Sequence, residues 1–282
     1  MQHVISLDVG GTNLRAAIVN EKFEIVRVIR KTTLTGSVEL FLKQIVDIIE
    51  DLDYAKFNPL NIVVDIPGRV RYDGFIYALP NIRIEKIALK DYLEFYFKLP
   101  TFVKNDAEMA GLAEAMLGVG RSLKSTFFIT ISTGVGGAYI ENGHIKQIND
   151  EIGHTLYNYK GRYYEFEKIC SGQGLLNLCA INGLEIEKTA HFFERVRLGD
   201  ATIFPIFSDW LNLMDQFLDF IEKTYQPSVI ALTGGVMRSS DVFLSELVER
   251  HPNLILKPTH FAQDSGLIGS ACYGFQQEDL NQ

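Results

Sequence analysis

Apolar positions in the N-terminal half fall into short runs broken by glycine and polar residues. Residues 4–9 and 14–19 are two such runs, rich in β-branched side chains and too short for helices, so they read as strands. Gly10 and Gly11 lie between them, in a turn where the backbone can approach a bulky group closely. Residues 25–31 form a third extended run. Across 37–50 the interval changes: Leu40, Phe41, Ile45, Ile48 and Ile49 recur at helical spacing, and Ser37 is placed to cap the helix. Residues 61–66 read as a buried strand closed by Pro67-Gly68, and 69–77 as a hairpin turning at Asp73-Gly74 ahead of Pro80-Asn81. A helix over 89–97, a strand over 101–104 and an Ala-, Glu- and Met-rich helix over 106–117 follow.

The pattern then restarts. Residues 125–132 are a second apolar strand, Thr133-Gly134-Val135-Gly136-Gly137 a second glycine turn and 138–141 a strand, with a hairpin signal at Asn142-Gly143. Residue-by-residue similarity to the opening segment is weak, but the plan of strand, glycine turn and strand is the same. Duplication of a folding unit produces this, and it would set two glycine turns face to face across a cleft. Residues 172–224 read as mostly helical, with a last stretch over 201–224. A buried strand at 229–232 ends in a third turn, Thr233-Gly234-Gly235, and a helix over 241–249, a strand over 254–257 and a small-residue helix over 266–273 close the chain. Strands mixed with helices and parallel crossovers indicate an α/β protein.

Bulk properties narrow the partners. A chain of 282 residues has room for about two domains. A net charge of −8, with no cluster of Lys or Arg, argues against a nucleic-acid surface. No apolar run approaches the roughly 18 residues of a membrane span, and no secretory signal precedes the first strand. Cys170, Cys179 and Cys272 show neither CxxC spacing nor a disulfide framework, so a reduced cytoplasm fits best.

Three glycine turns at strand ends suit phosphate handling. None is a Walker A loop, and none is a convincing dinucleotide fingerprint. Gly10, Gly11 and Thr12, together with the turn from Thr133 to Gly137, could donate N–H groups to phosphates, and Gly234-Gly235 could lie against a flat base. Asp8, at a strand end, could hold a hydrated metal ion; taken alone, the same segment is also an ordinary hairpin with a polar tip. Asn105-Asp106 precedes a helix, where either residue could simply cap it. Alternatively Asp106 accepts the proton of a hydroxyl attacking a phosphoryl group, the helix N-terminus favouring its ionised form. Glu151 and His154, with Glu167 beyond, could ring a polyol. No GxSxG elbow supports a serine hydrolase, and Cys170 and Cys179 are not spaced as paired metal ligands.

Taken together, Asp8-Val9-Gly10-Gly11-Thr12, Asn105-Asp106, Thr133-Gly134-Val135-Gly136-Gly137, Glu151-Ile152-Gly153-His154 and Gly234-Gly235 resemble, in order and spacing, the ROK family of bacterial sugar kinases and sugar-responsive repressors. The resemblance covers essentially the whole chain. It implies the actin-like, ribonuclease-H-like α/β fold: an N-terminal domain of residues 1–106 with about 266–282, and a C-terminal domain of 107–265, closing over ATP, Mg²⁺ and a sugar. Asp106 resembles the family's catalytic base, and Asn105 its sugar-binding neighbour. Asn81, Glu151, His154 and Glu167 match sugar-side positions, as does the Pro67-Gly68 turn. Gly10, Gly11, Thr12, Thr133 and Gly134 match the phosphate side, and Gly234 and Gly235 the adenosine side. A homodimer is also implied.

One departure stands out. The family usually carries a CxCGxxGC segment after this histidine, which binds a structural zinc together with three cysteines. Here Asn158, Lys160 and Glu165 occupy the cysteine places, and an ammonium group cannot replace a thiolate, so no zinc is expected. Tyr159, Tyr163, Tyr164 and Phe166 are expected to fill the space by packing. The expected activity is transfer of the γ-phosphoryl group to a hexose, glucose first, with N-acetylmannosamine as the alternative because similar zinc-free members act on it. A repressor would need a DNA-reading module ahead of the first strand. A sugar-binding protein without activity is disfavoured by the retained Asp106 and the three turns.

Overall fold

The structure, a computed structural model, describes residues 1–71, 73–148 and 151–279. Tyr72, inside the expected hairpin, and residues 280–282, in the C-terminal part of the expected first domain, lie outside these. Two compact units form: residues 1–116 with the chain from 261 onward, and residues 117–260.

In the first unit, β1 (His3–Val9), β2 (Asn13–Asn20) and β3 (Ile25–Thr32) make an antiparallel meander. Helix α1 (Val38–Glu50) follows, with Ser37 Oγ accepting the Leu40 N–H at 3.3 Å. Its stripe of Phe41, Ile45, Ile48 and Ile49 is fully buried against the sheet. β4 (Ile62–Ile66) pairs in parallel with β1. A small antiparallel sheet comes next, β5 (Arg69–Val70), β6 (Ile76–Leu79) and β7 (Ile84–Ile87), then α2 (Leu89–Phe97). β8 (Thr101–Asn105) completes the main sheet in the order β3-β2-β1-β4-β8, and α3 (Asp106–Met116) leaves its end.

The second unit repeats the plan. β9 (Ser125–Ile131), β10 (Val135–Glu141) and β11 (His144–Lys146) form an antiparallel meander. A hairpin of β12 (Leu156–Tyr159) and β13 (Arg162–Glu165) leads into helices α4 (Phe166–Cys170), α5 (Gly172–Ile181), α6 (Thr189–Arg197) and α7 (Phe204–Tyr225). β14 (Val229–Thr233), α8 (Ser240–Arg250) and β15 (Leu256–Pro258) follow, giving the sheet order β11-β10-β9-β14-β15. In both sheets the first strand is central, flanked by its meander on one side and by two parallel strands on the other. This is the arrangement that duplication predicts. The core beneath the second sheet is aromatic: Trp210 donates its indole N–H to Cys170 O at 3.1 Å, and Phe166 stacks on Phe217 with centroids 4.0 Å apart.

Two expectations are corrected. The second glycine turn is shorter than its sequence suggests, because β10 begins at Val135 and pairs Gly136 with Thr130 and Gly137 with Ile129. Gly137 stands in the strand, and a side chain there would clash with Ile152, which packs where its Cβ would be. Next, the domain boundary falls after α3 rather than before it, and the chain returns at 261 rather than 266. The last helix, α9 (Ser265–Asp279), packs along α3, and Gly269 lets it meet the Met109 backbone where no side chain would fit. Glu114 Oε1 accepts the Phe261 N–H at 2.8 Å and ties the returning chain to α3. The hairpin β12–β13 and α4 lie ahead of the helical stretch expected from 172, in a segment for which the periodicity gives no element. No helix among the described residues is long and apolar enough to cross a membrane.

Candidate active site

In the first unit, parallel strands bring acids together. The register sets Asp8 beside Asp65, and Asp106 stands one residue past the end of β8. Arg15 sits opposite Asp8 in the β1–β2 ladder, and its Nε donates to Asp8 Oδ2 at 3.0 Å. The guanidinium also bonds Asp264 Oδ1 at 2.8 Å and the Gln263 carbonyl, so Asp8 has a matched cation held at both ends. Asp65 has none. It is fully buried, accepts the Ser270 hydroxyl at 3.1 Å, and its Oδ1 meets no donor among the described residues. The neighbouring Asp8 carboxyl can share a hydrogen bond with it only if one of the two keeps a proton. Burial first, then the charges of Asp8 and Asp106, hold Asp65 well above the usual carboxylate range.

Asp106 Oδ1 accepts the Ala107 N–H at 2.8 Å. The helix N-terminus was expected to favour the ionised acid, but that effect does not win. Loss of hydration among surrounding protein atoms, reinforced by the charge on Asp8, pushes the group up to about 6. Asp106 nevertheless keeps an accessible surface, so the crowding lies around it rather than over it and a ligand can reach it. Asn105 caps α3: its Oδ1 accepts the Ala107 and Glu108 N–H groups at 2.9 and 3.3 Å, while its Nδ2 donates to Gly68 O at 3.2 Å.

The turn after β1 is braced from behind. Thr33 Oγ1 donates to Gly10 O at 2.7 Å, and the Thr33 N–H donates to Thr12 O at 2.9 Å. Among the described residues, the Gly11 and Thr12 N–H groups meet no hydrogen-bond acceptor, which leaves two donors at the turn. Asn81 packs against Gly11.

In the second unit, the turn Ser132-Thr133-Gly134 is held by the chain that follows Glu167. Ser171 Oγ donates to Thr133 O and the Gly172 N–H to Ser132 O, both at 2.7 Å. Glu167 lies against Gly134, accepts the Val135 N–H at 3.4 Å, and pairs with Lys168 at 2.7 Å. The turn after β14 joins it through the Gly235 N–H and Ser132 Oγ, 3.4 Å apart, with Gly234 at a φ of 103°. Glu151 and His154 flank a single 3-10 turn, where His154 Nε2 is 2.9 Å from Glu151 and Nδ1 is 3.1 Å from Glu165. Partial burial opposes the charged imidazole, but Glu165, Glu151 and Glu167 outweigh it and raise its pKa.

A sequence profile of the ROK family matches residues 4–276. The chain belongs to the ROK family. Curated relatives include a glucokinase of Halalkalibacterium halodurans, 27% identical over 98% of this chain and 96% of that protein. An N-acetylmannosamine kinase of Haemophilus influenzae is 26% identical over 95% and 93%. Among solved structures, a ROK hexokinase of Thermus thermophilus superimposes with a TM-score of 0.86 at 22% identity, covering 99% of both chains.

Each unit of this ROK protein gathers its own part of the expected site. The first holds Asp8, Gly10, Gly11, Thr12, Asn81, Asn105 and Asp106; the second holds Thr133, Gly134, Glu151, His154, Glu167, Gly234 and Gly235. Sequence reasoning passed over Arg15, Asp65 and Asp264, and met Glu165 only as the occupant of a cysteine place. Arg15 and Asp65 did leave a signal, as lone charges inside otherwise apolar strands. A ROK-type zinc does not suit the residues present. Lys160 bonds Asn182 Oδ1 and faces the Tyr159 ring, while Asn158 Oδ1 accepts the Gly161 N–H at 3.3 Å. Cys170 and Cys179 are buried, which pushes both thiols up, Cys179 to about 11, and disfavours the thiolate. Tyr159 and Phe166 fill the space as expected and Tyr164 packs at the edge of the core, but Tyr163 is 71% exposed because it points from the outer side of the hairpin.

Proposed function

We propose that this ROK-family phosphotransferase moves the γ-phosphoryl group of ATP to a hydroxyl of a hexose, with glucose the first candidate and N-acetylmannosamine the alternative. The observation that carries the reading is Asp106: an accessible carboxylate raised to about 6, within the electrostatic reach of Asp8 beside a turn with two free N–H donors. A base with a pKa just below neutrality is ionised at working pH yet still takes up a proton readily. Asp106 takes the proton of the attacking hydroxyl at its carboxylate, late in a largely dissociative transfer. The Gly11 and Thr12 N–H groups, with the turn at Thr133-Gly134, bind phosphate oxygens, and Gly234-Gly235 lie against the adenosine. Asn81, Glu151, His154 and Glu167 orient the sugar hydroxyls. Asn105 acts on the sugar side chiefly by holding Asp106 at the head of α3.

Asp8 has the chemistry for a hydrated Mg²⁺, being an accessible carboxylate already steadied by Arg15, so it would act through water rather than by direct ligation. Bound there, the ion supplies charge neutralisation for the phosphates.

A coupled ADP-release screen over glucose, mannose, fructose, allose and the N-acetylhexosamines tests the reading. Sugar-dependent ADP release is expected for at least one of them, with glucose best. Release that ignores every sugar refutes it. Because the base must be unprotonated, kcat/KM should rise through a midpoint near pH 6 and then level off.

A further inference from the structure

His154 is the only imidazole among the proposed sugar-side residues, and both of its nitrogens are spoken for by carboxylates: Glu151 at Nε2 and Glu165 at Nδ1. The backbone enforces this. Thr155, next to His154, accepts the Phe166 N–H at 2.9 Å, and Leu156 pairs with Glu165 in the β12–β13 register. Glu165 is thereby fixed across the ladder from the chain just after His154. The hairpin itself is anchored by Tyr159, whose hydroxyl donates to Asp209 at 2.7 Å and accepts from Asn182 at 2.8 Å.

We infer that Glu165 is a positioning residue for His154: its carboxylate accepts the Nδ1–H, sets the ring's orientation and keeps Nε2 as the nitrogen that faces substrate. This rests on the reading that His154 contacts the sugar. Glu165 thus does by hydrogen bonding what a bound metal does for a histidine by ligation, with the opposite proton requirement. A metal needs a bare nitrogen, whereas a carboxylate needs a protonated one. The pair adds little to stability, because both side chains are more than a third exposed and solvent screens their attraction. Its consequence is geometric: with Nδ1–H committed to Glu165, Nε2 is left to exchange Glu151 for a sugar hydroxyl. The other charges facing the ring are Glu151, on its own turn, and Glu167 of α4, whose carboxylate is shared with Lys168.

Glu165 competes with one alternative, since one ligand atom each of His154, Glu165 and Glu167 lie within 4.8 Å of one another and could hold a cation. The full-length protein with Glu165→Ala and Glu165→Gln separates the two. Long-range ¹H–¹⁵N imidazole spectra without sugar, taken above the ring's pKa, should show Nδ1 protonated in the wild type and a shift toward Nε2–H in Glu165→Ala. With glucose, Glu165→Ala should raise KM about tenfold, the worth of one charge-assisted hydrogen bond, with kcat changed less than about threefold. Glu165→Gln, whose amide oxygen still accepts, should fall near the wild type in both measurements. An unchanged tautomer in Glu165→Ala, equal effects of the two variants, or His154 signals that move on removing a stoichiometric metal would each overturn the inference. If the wild type turns over no sugar, the proposed function fails while the spectra still decide the role of Glu165.

Discussion

The two units build the same ladder and arm it differently. Asp8 pairs in parallel with Asp65 one residue before the end of β1, and Thr130 pairs with Thr233 one residue before the end of β9. At the same position in the same topology, one unit has two acids and the other two hydroxyls. One acid, Asp8, is paired with an arginine that Asp264 also holds, and the other, Asp65, is held by burial well above the usual carboxylate range, features suited to a cation and to proton transfer. The threonines come with glycine turns cross-linked through Ser132, a setting of N–H and O–H donors that does not repel phosphate. A fold repeated within one chain thus divides labour by strand-end chemistry rather than by architecture.

The sharpest way to break this contrast is at Asp106. Asp106→Asn should lower kcat about 10²–10⁴-fold, measured by ADP release at saturating sugar, while the fold is retained; near-normal turnover would remove the base from the acidic unit. Making the second unit resemble the first comes next. Thr233→Asp places a carboxylate where phosphate donors are proposed, and like charge should raise KM for ATP at least about tenfold with sugar KM less affected. An unchanged ATP KM would mean that the hydroxyl pair has no part in nucleotide binding.

Asp65→Asn tests the protonated acid. Because the folded pKa lies above the unfolded one, the native state holds a proton that the unfolded chain releases above about pH 4. Stability from this group is therefore lost progressively as pH rises above the unfolded pKa toward the folded one. Asn does not titrate, so urea midpoints of wild type and variant should draw apart between pH 5 and pH 8, the wild type falling further. Parallel curves would mean that Asp65 is ionised in the native protein. The smallest effect is expected at Tyr159, whose hydroxyl, carried by the β12–β13 hairpin, meets Asp209 of α7 and Asn182 just after α5. Tyr159→Phe should cost about 1 kcal/mol in urea unfolding and leave sugar KM within about twofold, provided Glu165 rather than the hairpin's hydroxyl network orients His154.

Much of this protein is determined by sequence alone, because local signals there are strong. β-branched runs too short for helices give the strands, the 37–50 stripe gives α1, and the repeated strand-turn-strand plan foretells two sheets of one topology. The motif residues from Asp8 to Gly235 identify the family without any coordinates. What tertiary structure decided was everything set by neighbours distant in the chain. Asp65 is held above the usual carboxylate range only because β4 lies beside β1 and α9 covers it. Asp106 is raised rather than depressed because surrounding protein outweighs its own helix. Position 137 has no room for a side chain because Ile152 takes the space, α3 stays with the first unit because Gly269 lets α9 reach it, and Glu165 meets His154 because a hairpin stands where the cysteines would be. Periodicity reports which face of an element is buried; only packing determines which charges are buried together.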